Sequence, residues 1–159
     1  MGLFTRKRRL LVGLDIGSHS IKLCLLKEVY GKVRLVRFDQ ANLPPETLEN
    51  GRLINRSAVL DTIRELAKAN KCNGADCAIA LSGYTVIVKK RSIPEMTEEE
   101  LDESIQWEAE AYIPFDIKDV YVDAQILNPK SGQGQMDILL VAAKKDVIHD
   151  YILAVKEAG

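Results

Sequence analysis

Apolar residues recur along this chain at two periods, and the change from one to the other marks its elements. Leu10 to Ile16 is a short apolar run, and 20–28 and 33–39 continue in the same rhythm after brief polar breaks. The pattern predicts three successive strands in an antiparallel meander, with Tyr30-Gly31-Lys32 at the second turn. Asn42 to Asn55 holds Pro44, Pro45 and Gly51 and reads as a loop. Asn55 can cap a helix running to about Asn70, whose apolar face is Val59, Leu60, Ile63, Leu66 and Ala67 at helical spacing. Cys77-Ala-Ile-Ala-Leu81 is a short apolar strand, expected to be buried and parallel. The first 81 residues therefore read β-β-β-α-β.

Ser82-Gly83-Tyr84 reads as a junction, and a second block follows. Thr85 to Ser92 is a strand ending at Ile93-Pro94. Thr97 and Glu100 form a capping box, each satisfying the other's free backbone donor, with Met96 and Leu101 placed as a hydrophobic staple. Acids at 98, 99 and 100 suit the positive end of the helix dipole. Leu101, Ile105, Ala109 and Tyr112 make the buried stripe, Trp107 is read as core, and Pro114 stops the helix. Strands near 119–127 and 136–144 flank a loop at Gly132-Gln-Gly134. A last helix from about Asp146 buries Val147, Ile148, Tyr151, Ile152 and Val155. This block is β-α-β-β-α with its own core. The expected division is a tail over 1–9, a subdomain over 10–84 and a second over 85–159.

Chemistry gathers at the first turn. Asp15-Ile-Gly17-Ser18-His19-Ser20-Ile-Lys22 joins two strands, so its polar groups meet at one end of the sheet. Glycine at 17 allows unusual backbone angles and close approach of an anion, and successive N–H groups in such a turn can form an anion-binding concavity. Ser18 and Ser20 add hydroxyl donors, and Lys22 adds a point charge. Asp15 repels phosphate but can hold Mg²⁺ through water. The same residues also make an ordinary hairpin turn. The chain has no P-loop and no Gly-x-Gly-x-x-Gly. The acids at 98–103 are explained by capping and a solvated helix face, and no Ser/His/Asp or Cys/His constellation is present.

Composition adds exclusions. Among 159 residues, 22 Lys and Arg against 23 Asp and Glu give a net charge of −1, without the footprint of a nucleic-acid binder. No apolar run approaches the ~20 residues that span a bilayer, and no secretory signal is seen. Cys24, Cys72 and Cys77 fit no zinc spacing. Cys24 is read as a small core residue and the setting as a reducing cytoplasm. The start is basic: Leu3 and Phe4 precede Arg6-Lys-Arg-Arg9, a tail suited to weak contact with an anionic membrane or to simple solvation.

Val12-Gly-Leu-Asp15-Ile-Gly17-Ser18-x-Ser20-x-Lys22 resembles the first phosphate motif of the actin-like ATPases. Ile93-Pro-Glu-Met-Thr-Glu-Glu-Glu-Leu, Gln106-Trp-Glu-Ala-Glu-Ala-Tyr-Ile-Pro-Phe115, Val120-Tyr-Val-Asp-Ala-Gln-Ile-Leu127 and Leu139-Leu-Val-Ala-Ala-Lys-Lys145 are similar to the PilM family of type IV pilus assembly. The resemblance implies an α/β fold: a ribonuclease-H-like, actin-type subdomain followed by the small inserted subdomain of FtsA-like proteins. It implies ATP with Mg²⁺ at Asp15, Gly17, Ser18, His19, Ser20 and Lys22. His19 stands where actin has glycine, which narrows the turn. It further implies a cytoplasmic scaffold for pilus assembly and twitching motility, peripheral to the inner membrane through its partner. That partner is the N-terminal cytoplasmic peptide of PilN, alongside other inner-membrane components. The peptide groove would be lined by Ser82, Gly83, Tyr84, Ala142 and Ala143. Family members are about twice as long, so the chain is expected to be the N-terminal half, with little ATP binding or catalysis of its own. An FtsA-like division tether and a small-molecule kinase of the same fold are the alternatives. The Ile-Pro-Phe and Trp-Glu-Ala-Glu motifs favour the pilus reading, and no residue is placed as a kinase's general base.

Overall fold

A computed structural model describes residues 11–81 and 83–159. The basic tail and Ser82 lie outside the described residues. Two compact units emerge: one takes the chain up to Ala80 and again from Asp150 to Gly159, the other takes Leu81–His149. The boundary was expected at 84/85, and the second unit begins at Leu81. The last helix, expected wholly in the second subdomain, gives its second half to the first unit.

The first unit is a four-stranded sheet. β1 (Leu11–Ile16), β2 (Ser20–Val29) and β3 (Lys32–Asn42) form the predicted antiparallel meander. Tyr30 and Gly31, at φ 52° and 71°, make the tight turn between β2 and β3. Positive φ at both central residues matches the twist of the flanking strands. The segment read as a loop contains a small hairpin, β4 (Leu48–Glu49) and β5 (Arg52–Leu53). Its turn is Asn50-Gly51, at φ 49° and 79°, the commonest two-residue hairpin signal. Thr47 anchors the hairpin: its hydroxyl donates to Pro44 O at 2.7 Å, and its carbonyl accepts from Ile54 and Asn55. α1 (Arg56–Asn70) is capped by Asn55, whose side chain accepts from Ala58 N. β6 (Asp76–Ile79) then pairs parallel to β1, so the sheet order is β3-β2-β1-β6.

Strand alternation sorts this sheet's faces. Val12, Leu14, Ile16, Ile21, Leu23 and Leu25 are buried on one face, and α1 buries Val59, Ile63, Leu66 and Ala67. Cys24 belongs to the other face, opposite Gly13 in the register, and is only half-buried. The core role expected for it is therefore not seen, because its parity in the strand is that of Lys22 rather than Leu23 and Leu25.

The second unit is a three-stranded antiparallel sheet with one helix on it. A short 3₁₀ turn (Gly83–Thr85) leads into β7 (Val86–Pro94). α2 (Glu98–Glu110) starts at the predicted capping box: Glu100 N donates to the Thr97 hydroxyl at 3.2 Å, and Thr97 N donates to the Glu100 carboxylate at 2.8 Å. β8 (Val120–Gly132) and β9 (Gln135–Lys144) complete the sheet in the order β7-β9-β8. Ile93, Leu101, Ile105, Ala109, Ile113, Met136, Ile138, Leu140 and Ala142 form its core, with Met96 packed against them.

Two aromatic assignments fail. Tyr112 is 39% exposed and Ile113 takes the buried place, because α2 ends at Glu110 and helical spacing no longer applies beyond it. Trp107 is 76% exposed. α3 (Lys145–Ala158) buries Val147, Tyr151, Ala154 and Ala158, while Ile152 is 36% exposed. Small alanines on the helix set its contact face, which counting only large apolar residues had rotated.

Candidate functional site

The β1–β2 turn gathers the predicted phosphate-motif side chains. Asp15 and Lys22 are direct register partners, and Lys22 Nζ donates to Asp15 Oδ2 at 2.9 Å. Both side chains are largely in water, at 62% and 45% exposure, so the pair is screened and weak. Ser18 Oγ and His19 Nδ1 lie 2.8 Å apart in hydrogen bond. Gly17 N donates to Ser20 O at 3.0 Å and closes the turn, so this N–H is already committed.

The glycine has a different reason from the one expected. Its φ is not left-handed. A Cβ there would sit 3.3 Å from Ser20 O, so the need at 17 is for space. His19 holds the turn to the rest of the unit through its carbonyl, which accepts from Leu43 N at 2.8 Å. The donor set suits a Mg²⁺-bound phosphate: an exposed carboxylate for the hydrated metal, and two hydroxyls and an ammonium for anionic oxygens. No group of three metal-ligating His, Cys, Asp or Glu side chains is found among the described residues.

An apolar cavity of about 350 Å³ in the same unit is separate in chemistry from this turn. Val12, Leu14, Ile63, Ile79 and Val155 are among its lining residues, with Cys72 and Cys77. Burial pushes both thiols up.

The residues expected to line a peptide groove divide. Gly83 and Tyr84 are exposed, Tyr84 at 90%, on the 3₁₀ turn before β7. Ala143 is half-buried on β9. Ala142 is 2% exposed within the second unit's core, so its side chain cannot line a groove. It pairs with Ile87 and Val122 in the sheet and points towards α2's side of it.

The sequence reading missed a groove of about 570 Å³ lined by Ile87, Val88, Lys89, Tyr112, Ile113 and Pro114. Three consecutive strand residues line it, although their side chains alternate between faces. It therefore runs along the edge of β7, an outer strand of the sheet that is paired on one side, with β9. The Arg91 guanidinium lies 3.9 Å over the Tyr112 ring and steadies that wall. Arg91 Nε is buried and has no acceptor among the described residues. The sequence signal was available: Tyr-Ile-Pro directly after a helix end marks a chain reversal that exposes one residue and buries the next.

A sequence model of the type IV pilus assembly protein PilM matches residues 13–159. The chain belongs to the PilM family. Among solved structures, a PilM–PilN type IV pilus biogenesis complex superposes with a TM-score of 0.83 at 30% identity. The match covers 96% of this chain and 45% of that one. The cytoplasmic domain of EpsL, an inner membrane component of the type II secretion system of Vibrio cholerae, matches with a TM-score of 0.57 at 13% identity. That match covers 94% of this chain and 53% of that one, and it bears on the fold alone. The chain thus spans about half the length of the proteins it matches. The expected α/β class is the one observed: strands and helices mix along the chain, and the second unit runs β-α-β-β, with the last helix divided between the two units. No helix among the described residues is long and apolar enough to cross a membrane.

Proposed function

We propose that this PilM family chain is the N-terminal part of a cytoplasmic scaffold that grips an extended peptide of a PilN-type membrane partner. It would thereby be held at the inner membrane. The observation that carries this reading is the match, over nearly the whole chain, to a protein solved in a PilM–PilN complex. The groove along β7 supports it physically. A free strand edge offers backbone donors and acceptors, and adjacent apolar walls receive alternate side chains of an added strand. Tyr112, Ile113 and Pro114 supply one wall and Ile87 and Val88 the other. Gly83 and Tyr84 stand just before this edge in the chain, while Ala142 has no place in it.

The β1–β2 turn is the second part of the proposal. Asp15, Ser18, Ser20 and Lys22 would contact the phosphates and Mg²⁺ of ATP, and the nucleotide's metal would offset charge there. Because one turn supplies few contacts, the 159-residue chain is expected to hold ATP weakly.

The test is fluorescence anisotropy with a labelled peptide from the cytoplasmic N-terminus of a PilN protein. Saturable binding that is lost in Val88→Asp and weakened in Tyr112→Ala is expected. Absence of binding to the folded chain would overturn the peptide reading. Binding untouched by both variants would move it away from β7.

A further inference from the structure

The solvent face of α2 carries a feature that neither the groove nor the phosphate turn uses. Between Glu98 and Glu110 the helix has acids at 98, 99, 100, 102, 103, 108 and 110 and no basic residue. Leu101, Ile105 and Ala109 account for its buried side. Trp107 lies away from that stripe and leaves 76% of its surface in water. It is the only tryptophan in the chain. An exposed indole forgoes the burial that usually makes tryptophan stabilising, and such anchors are enriched where proteins bind one another.

The acidic neighbours of Trp107 on the helix surface are the exposed Glu103, four residues before it, and the exposed Glu110, three after it; Ser104 and Ala111 are the other two. Neither carboxylate has an ion-pair partner among the described residues. Glu100, the next acid along this side, is already used in the capping box.

We propose that the outward face of α2 docks a basic protein segment, with an arginine stacked on Trp107 and held by Glu103 and Glu110. The sign of the charge selects the class of partner. A run of carboxylates repels nucleic acid and anionic lipid and attracts cationic side chains. The aromatic face then selects arginine over lysine. A planar guanidinium can stack on the indole while its N–H fork donates to both carboxylates, whereas an ammonium offers a compact, strongly hydrated charge.

The tryptophan is also the probe. A short peptide of alternating arginine and alanine, added to the 159-residue chain at low salt, should shift Trp107 emission saturably. Its lysine counterpart should bind several-fold more weakly, and its glutamate counterpart should not bind. With a labelled arginine peptide read by anisotropy, Glu103→Lys/Glu110→Lys should weaken binding by roughly tenfold and Trp107→Leu by roughly threefold. Asp102→Lys, on another side of the helix, should weaken it much less. Circular dichroism should confirm that each variant stays folded. An unchanged emission with saturating arginine peptide would overturn the proposal. So would equal affinities for arginine and lysine peptides, or an equal loss in Asp102→Lys. Sedimentation showing self-association that the double reversal abolishes would assign the face to a second copy instead.

Discussion

Lys22 and Asp15 face each other across the β1–β2 register, and their 2.9 Å contact places the motif's cation on its own carboxylate. A divalent ion at Asp15 must therefore compete with the ammonium. Lys22→Met should increase the affinity of the turn for Mn²⁺ by about 2- to 5-fold, the range expected for an exposed pair. Paramagnetic broadening of the 15–18 amides measures it. Asp15→Asn should remove the broadening. If Lys22→Met leaves the Mn²⁺ titration unchanged, the pair does not gate the site.

The cap of α2 gives a stability test within the second unit. The Thr97 hydroxyl accepts from Glu100 N, and the Glu100 carboxylate accepts from Thr97 N. Thr97→Ala removes one partner and leaves a helix-end donor without its acceptor, a loss of about 1 kcal/mol. Thr97→Ser should retain most of the stability. Urea unfolding followed by Trp107 emission reports this unit directly, since the sole tryptophan is on α2.

Local signals of this kind are the part of the fold that the sequence makes legible. Thr97 with Glu100, and Asn55 before an apolar stripe, are short-range devices whose geometry follows from spacing, and both appear as expected. Asn50-Gly51 was equally short-range and equally legible, but the neighbouring prolines suggested an unstructured loop. Cys24 and Trp107 were misplaced for another reason. Their chemical type suggested burial, whereas parity in β2 and angle around α2 put them outside. The split of α3 between the units was not legible at all. It rests on Tyr151 reaching Gly51 and on Glu157 reaching Arg56 and Arg64, about a hundred residues away, which no local period encodes. At the candidate site, the gathering of the 15–22 side chains at one turn was legible in the sequence, but the Gly17 N–H bond that closes the turn was not.

Acid should destabilise both units through identifiable carboxylates. The Asn70 amide, helped by the Gln40 backbone N–H, holds the Asp39 carboxyl below its ordinary value of 3.8. Lys90, through its hydrogen bond, does the same for Asp137 in the second unit. A depressed folded-state value means that the stabilisation is complete above the ordinary value and disappears as pH falls through the lowered one. The unfolding midpoint should therefore be flat from neutral pH to about pH 5 and fall below about pH 4. Asp39→Asn and Asp137→Asn should each flatten part of that fall, in thermal unfolding measured at several pH values. An unchanged acid profile in both would reject these two groups as its source.

Tyr151 tests whether the second half of α3 belongs to the first unit. Its ring is 3% exposed, and its hydroxyl donates to Gly51 O at 3.0 Å in the β4–β5 turn. Burial also pushes the phenol up, so the folded unit favours the protonated donor. Tyr151→Phe keeps the ring and strands the Gly51 carbonyl, with an expected loss of about 1 kcal/mol. Gly51→Ala forces a Cβ onto a residue at φ 79° and should destabilise the same turn by about 1 kcal/mol or more. Because both changes act on one contact, their effects should add to less than the sum in a double-mutant cycle. Hydrogen exchange should then show faster opening at Ile54 and Asn55, whose amides donate to Thr47 O beneath that hairpin. Strict additivity, with exchange at those amides unchanged, would mean that the helix end and the hairpin are not energetically joined.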